Sequence, residues 1–197
     1  MKLQRSKVNK VVLPPDETGR LKALYDLHIL DTDPEFSFDT ITRLAKILFE
    51  TRVCAVSLID RDRQWFKAIS GLNCAETPRE LAFCTHTILS DEPLIVPDAA
   101  LDPLFKDNPL VVGEPYIRFY AGVPLNTREG SKIGALCVID TKPRRDWSPL
   151  RTAILSEMAE LVCHELENRS GKQQEQYLLA QTRQLQFKLA QKDGGKS

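Results

Sequence analysis

The sequence predicts an α+β fold built on an antiparallel sheet, and three observations carry that prediction. Residues 53–69 and 120–140 each hold two apolar, β-rich runs joined by a short polar turn, the signature of a β-hairpin. Helical periodicity is confined to the two ends of the chain, which excludes an alternating β-α-β winding. Between the hairpins, the stretch from Arg79 to Leu125 is rich in proline yet strongly apolar, so it reads as an ordered connection that forms one wall of a pocket.

Each element follows from local pattern. Residues 1–15 end in Pro14-Pro15 and read as a flexible arm. From Asp16, Leu21, Leu24, Tyr25 and Leu27 or His28 recur at helical spacing, predicting a first helix that ends near Ile29-Leu30-Asp31. Asp33 is the expected N-cap of a second helix, with Pro34 at its first position and Phe38, Ile41, Leu44, Ala45, Leu48 and Phe49 as its apolar stripe to about Glu50. Val53-Cys54-Ala55-Val56-Ser57-Leu58-Ile59-Asp60, a turn at Arg61-Asp62 and Gln64-Trp65-Phe66-Lys67-Ala68-Ile69 make the first hairpin.

Seven of the twelve prolines fall in or beside the connection, and each removes a backbone donor and fixes φ, so regular structure there must be short. Tyr120–Leu125, a turn at Arg128-Glu129-Gly130-Ser131 and Ile133–Asp140 make the second hairpin, apolar enough for a strand buried on both faces. Ser148-Pro149 starts the last helix, striped by Ala153, Ile154, Leu155, Met158, Leu161, Val162 and Leu166. Past Asn168–Gly171, Tyr177, Leu178, Leu185 and Leu189 are spaced like a weak heptad seam, so residues 169–197 are expected as a helical, coiled-coil extension with a frayed tail.

Charge and cysteine usage exclude several functions. The formal net charge of zero divides into four bases and no acid over residues 1–13, six bases against three acids over residues 166–197, and an acidic body between them. An acidic body without a basic, aromatic-interleaved helix argues against nucleic-acid binding. No apolar run reaches the ~18 residues that span a bilayer, so a cytoplasmic protein is expected. The five cysteines, Cys54, Cys74, Cys84, Cys137 and Cys163, are odd in number and mostly in apolar context, which fits buried thiols in a reducing compartment.

Many short pieces in fixed order carry a likeness. They are Ile29-Leu30-Asp31-Thr32, Phe38-Asp39, Val56-Ser57-Leu58-Ile59-Asp60, Gln64-Trp65-Phe66-Lys67, Phe83-Cys84-Thr85-His86, Val96-Pro97-Asp98-Ala99, Asp107-Asn108-Pro109, Ile117–Gly122 and Gly134–Asp140. Over about residues 16–168 the chain resembles the GAF domains of bacterial signalling proteins, in particular those upstream of histidine kinase or diguanylate cyclase modules. The resemblance implies a central antiparallel sheet with terminal helices on one face, a ligand pocket roofed by the long connection on the other, and terminal helices that pair into a homodimer. It implies a sensor acting on an effector such as a histidine kinase or diguanylate cyclase in trans, or a fragment of a longer protein, rather than an enzyme.

The candidate ligand-binding residues are Trp65, Phe83, Cys84, His86, Asp98, Phe105, Arg118, Phe119 and Tyr120, a few polar groups on an apolar background. Arg118 could fork onto an anionic ligand, or pair with Asp98 or Asp102 and lock the loop. On a helix Cys84 and His86 would diverge by ~200°, and no carboxylate adjoins them to complete a metal site, so no metal is assigned. The resemblance raises two cofactors that the motifs do not support. The polar motif of cyclic-nucleotide-binding relatives is missing, and the order Cys-Thr-His departs from the Cys-His of bilin-bearing ones. Relatives that reduce free methionine sulfoxide leave one catalytic alternative, Cys84 with Cys74 upstream, although those enzymes' glycine-valine-cysteine-glycine piece is absent. A scaffold that pairs through its helices and binds nothing is the third reading.

Overall fold

The two hairpins close one sheet. The computed structural model describes residues 12–193, and in it β1 (Val53–Ile59) pairs with β2 (Arg63–Ser70) and β5 (Phe119–Asn126) pairs with β6 (Lys132–Asp140), all antiparallel. The hairpins join side by side through β1 and β6, with Leu58 opposite Gly134. Short edge strands β3 (Glu76–Pro78) and β4 (Leu94–Val96) complete the order β3-β2-β1-β6-β5-β4. The central position of β1 and β6 explains why both read as continuous apolar runs, since each is covered on both faces.

Alternation along the strands sends side chains to two separate cores. Cys54, Val56, Leu58, Leu136 and Val138 face the helices α1 (Glu17–Asp26), α2 (Phe36–Leu48) and α5 (Pro149–Asp193), where Leu24, Phe38, Ala45, Leu155 and Val162 meet them. Ala55, Ile59, Tyr120, Ala135 and Cys137 face the connection, whose Phe83, Ile88, Val96, Phe105, Val111 and Ile117 cover them. Besides the three-residue edge strand β4, the connection holds only single helical turns, a 3-10 turn at Arg79–Leu81, α3 (Cys84–Thr87) and α4 (Pro109–Val112), as its prolines require.

Three boundaries differ from the expectation. α1 stops at Asp26 because His28 takes a positive φ of 48° that no helix accommodates. α2 starts at Phe36, not at Pro34, because the would-be capping segment is spent on tertiary bonds: the buried Lys67 Nζ donates to Asp33 O at 2.7 Å and to Thr32 Oγ1 at 2.9 Å. α5 runs unbroken through Asn168–Gly171, so the helical extension is a continuation of the domain's own helix, about 68 Å in all. The arm's residues 1–11 and the tail's residues 194–197 lie outside the described residues, as do the side chains of Tyr177, Leu185 and Leu189.

Candidate functional site

A cavity of about 60 Å³ lies between the sheet and the connection. Phe66 and Ile69 of β2, Phe83 and Cys84 at the start of α3, Ile117 and Tyr120 leading into β5, and Cys137 of β6 line it, with the 41% exposed Leu72 at its edge. Its size suits one or two water-sized molecules, not a nucleotide. A larger concavity of about 760 Å³ lies elsewhere, between α1, the β5–β6 turn and α5. That groove is open, and Lys22, Asp26, Arg128, Glu129 and Glu167 line it with mixed charge, so it lacks the enclosure that ligand sites use.

The polar groups at the cavity are hydroxyls and thiols in one buried chain. Thr87 Oγ1 lies 2.6 Å from Tyr120 Oη, Tyr120 donates onward to Cys84 Sγ at 3.3 Å, and Cys84 Sγ lies 3.7 Å from Cys137 Sγ. Beside them Ser57 Oγ donates to Gln64 Oε1 at 3.0 Å, and Gln64 Nε2 donates to Thr77 Oγ1 at 3.1 Å. The Tyr120 ring can lie along β5 because Gly122 is next on the same face: a Cβ there would sit 2.1 Å from the Tyr120 hydroxyl.

Burial opposes ionisation of Cys84, yet the Cys137 thiol, the neighbouring Ser57 side chain and the Tyr120 hydroxyl that donates to it bring it below the ordinary thiol value. Cys137 is pushed well above that value, by its bond to Cys84 and then by burial. Cys84 is thus the more acidic sulfur of the pair. Cys54, buried among apolar side chains, is pushed up beyond any physiological ionisation.

The structure divides the sequence-predicted set. Phe83, Cys84 and Tyr120 line the cavity. Phe105 stacks flat on Phe83 at 4.1 Å from behind, and His86 meets the Phe105 ring edge-on at 5.1 Å, so both brace the roof from outside the cavity. Burial lowers the His86 pKa and keeps the imidazole neutral near pH 7. Trp65 and Phe119 are corrections: strand alternation turns both to the helix face, where Phe119 packs against Trp147.

Asp98 and Arg118 bond each other, Nε to Oδ1 at 2.7 Å and Nη2 to Oδ2 at 2.8 Å, which is the loop-locking one of the two alternatives that the sequence leaves open for Arg118. Their pair and the Ala99 N–H bond to Arg118 O at 2.6 Å fasten the loop after β4 to the lead-in of β5. The pocket expected to carry a few polar groups on an apolar background is therefore a small apolar cavity whose floor holds sulfurs and hydroxyls. Cys84 and His86 do diverge on the single turn of α3, and among the described residues no group of three or more His, Cys, Asp or Glu could hold a metal ion.

Cys137 is the residue that sequence reading missed. The alternation of β6 puts it on the same face as Ala135 and Ile139, but its meeting with Cys84 depends on how the connection folds back. Cys74, the expected neighbour of Cys84, instead donates to Glu76 O at 3.0 Å on the β2–β3 turn.

On the opposite face, the point where α5 leaves the domain is clamped. Arg169 donates to Glu35 Oε1 at 2.7 Å and to Leu27 O and His28 O at 3.1 Å each, while Lys67, with no exposed side-chain surface, donates to the same Glu35 oxygen at 2.6 Å. Burial acts to raise the Glu35 pKa, but the two cations lower it, so the carboxylate is ionised. Phe66, the residue before Lys67, lines the cavity.

One antiparallel sheet between a layer of terminal helices and a roofed cavity defines a class of small single-sheet α+β domains. The chain belongs to the GAF domain family, whose sequence profile matches residues 33–166. It is 44% identical over 149 residues to a cyclic di-GMP phosphodiesterase of Pseudomonas aeruginosa, a match that covers 76% of this chain and 25% of that protein. The chain thus spans about a quarter of the length of that curated relative.

Among solved structures it resembles the GAF domain of an Acinetobacter phosphoenolpyruvate-protein phosphotransferase, with TM-score 0.57, 18% identity and coverage of 79% of this chain and 95% of that one. It also resembles a free methionine-R-sulfoxide reductase from Neisseria meningitidis, solved with its substrate, with TM-score 0.57, 17% identity and coverage of 83% and 99%. At these identities the likeness is one of fold. No helix among the described residues is long and apolar enough to cross a membrane.

Proposed function

We propose that this chain is a regulatory GAF module in signal transduction, in which a change at the cavity beneath Phe83 and Tyr120 is passed to α5 and onward to an effector. The observation that carries this reading is the adjacency of Phe66 and Lys67 on β2: one lines the cavity, and the other holds Glu35, which holds Arg169 at the exit of the output helix. A ligand that wedges between Phe66 and the roof displaces β2 and biases that clamp, which is the differential contact that any shift of population requires. The lining selects a small and mainly apolar ligand, and because the closed cavity of about 60 Å³ holds only one or two water-sized molecules, such a ligand enters by parting Phe66 from the roof. Five free cysteines fit a reducing, cytoplasmic setting. The phosphodiesterase relative supports an effector that makes or breaks a cyclic dinucleotide, with a histidine kinase as the other class.

The output is a homodimer paired through the terminal helices. Phe36 is 80% exposed and Ile47 73%, and with Leu44 and Leu48 they form one apolar stripe on the outer side of α2. Leu150 and Leu161 are also exposed, on one face of α5. So much exposed apolar surface on adjacent helices marks an interaction face.

Calorimetric titration with small apolar metabolites, read alongside dimer content by sedimentation, tests the proposal. A saturable heat that moves the monomer–dimer balance is expected. Glu35→Gln should keep the heat and lose the shift in dimer content, because it breaks the clamp and leaves the cavity intact. It should also lower stability by about 2–3 kcal/mol, the scale of a charge-assisted bond, as read from urea unfolding. No heat with a constant dimer would leave only a scaffold that pairs through its helices.

The thiol pair favours a second reading, reduction of methionine sulfoxide with Cys84 as nucleophile and Cys137, not Cys74, as resolving thiol. No charged side chain lines the cavity to pair with the ammonium and carboxylate of a free amino acid, and for this reason the regulatory reading is preferred. Turnover of the free sulfoxide with a dithiol reductant, abolished in Cys84→Ser, would reverse that preference.

A further inference from the structure

We propose that Cys84 and Cys137 form a peroxide-reactive site that closes to a disulfide between the roof and the central strand β6. Four features converge on it. The sulfurs lie 3.7 Å apart, on elements remote in sequence, so bonding them requires an approach of under 2 Å, to about 2.05 Å. Both line the same cavity, whose 60 Å³ admits a molecule the size of hydrogen peroxide and little more. The partly exposed Leu72 at its edge gives such a molecule an entry from solvent. The hydroxyl chain from Thr87 through Tyr120 ends on Cys84 and not on Cys137, which distinguishes the attacking sulfur from the resolving one.

The chemistry balances. The Cys84 sulfur attacks one peroxide oxygen, an S–O bond forms as the O–O bond breaks, and the departing hydroxide takes up the proton lost by Cys84 and leaves as water. Cys84, oxidised by two electrons, is then a sulfenic acid. The Cys137 sulfur attacks that sulfur, the S–S bond forms as S–O breaks, and the second hydroxide leaves as water with the proton of Cys137. The sum is two thiols and one peroxide giving one disulfide and two waters.

Bonding the sulfurs draws α3 onto β6 and pulls Cys84 from the Tyr120 hydroxyl, so the oxidised roof is pinned where the reduced one is held by hydrogen bonds alone. The site stands apart from any ligand: a protein that binds no metabolite would still carry it, and peroxide uptake could fail with ligand binding intact.

The test uses Cys74→Ser, which removes the half-exposed thiol and leaves the core unaltered. On addition of hydrogen peroxide, the four thiols that remain, titrated after unfolding, should fall to two, with one peptide pair linking Cys84 to Cys137 in the mass spectrum. In the same background Cys137→Ser should stop at a sulfenic acid trapped on Cys84 by dimedone, and Cys84→Ser should form no link. Hydrogen exchange over residues 83–88 should slow in the oxidised protein and recover with dithiothreitol. Four thiols persisting at millimolar peroxide, or a link to Cys54 or Cys163 instead, would overturn the proposal.

Discussion

Gly134→Ala is expected to cost more than about 4 kcal/mol, in the tail of single-residue effects, and to leave little folded protein at 37 °C. Gly134 lies opposite Leu58 where β1 and β6 join the two hairpins, and a Cβ built on it would sit 2.0 Å from the backbone oxygen of Ser57. A side-chain neighbour could swing away, but a carbonyl in the middle of a six-stranded sheet cannot, so the strands must part. Beside this joint the β1–β2 register shifts, Val56 pairing with Ala68 and Ser57 with Phe66, so the extra residue is Lys67 on β2, while Ser57 keeps the alternation of β1 and bonds Gln64 at the cavity floor. Glycine therefore fixes the joint of the sheet. Thermal unfolding followed by circular dichroism decides the matter; a midpoint within a few degrees of the wild type would show that the strands yield easily.

Such a close approach is invisible in sequence, where Gly134 is one of several scattered glycines, whereas the strand that carries it is plain. Short apolar, β-rich runs joined by polar turns located both hairpins, because those signals are local to each strand and its turn. The connection was legible as ordered from its apolar content, and its short turns from its prolines. What could not be read was which residues it would bring against the sheet. Arg118 and Asp98 are twenty residues apart, and their pairing with each other rather than with a ligand follows from the path of the loop after β4.

Trp65 and Phe119 were misplaced for a simpler reason. Strand parity fixes which residues share a face, but not which face meets the helices, and Phe119 neighbours Tyr120 with opposite orientation. Cys84 opposite Cys137 is the same limit in its most consequential form: two thiols fifty-three residues apart acquire chemistry through one fold-back. The early end of α1 and the late start of α2 show tertiary bonds overriding local capping, since Lys67 needed the backbone of Asp33 more than the helix needed its side chain.

Glu17→Ala is the second large effect expected, about 3–5 kcal/mol of stability, which lowers the melting midpoint by roughly 6–20 °C for a chain of this size. Glu17 bonds two guanidiniums that are almost wholly buried, Arg20 at 2.8 Å and Arg79 at 2.6 Å. Arg20 reaches on to Ile59 O, and Arg79 to Asp60 O and Arg61 O, while Arg79 Nε and Nη2 already lack partners among the described residues. Removing the carboxylate leaves two buried cations with only neutral acceptors, which is costlier than the bond itself is worth. Since Thr85 Oγ1 donates to Arg79 O at 2.9 Å, the loss reaches the turn that carries Cys84, so the roof should loosen before the sheet melts.

The same carboxylate sets a pH limit. Burial alone would raise its pKa, yet the two guanidiniums bring it down from 4.5 to about 2. A folded-state pKa below the unfolded one means that this stability is complete above about pH 4.5 and is lost as pH falls towards 2. Glu35 and Asp98 are lowered by their own cations, and Asp60, against burial, by bonds from the Tyr25 hydroxyl, the Arg61 N–H and then Arg63, so all three add to the same acid limb. Glu17→Gln should therefore be less stable than wild type at pH 7, and the difference should shrink on acidification, with the two urea midpoints converging towards pH 2. A constant difference across that range would mean that Glu17 acts through shape and not through charge.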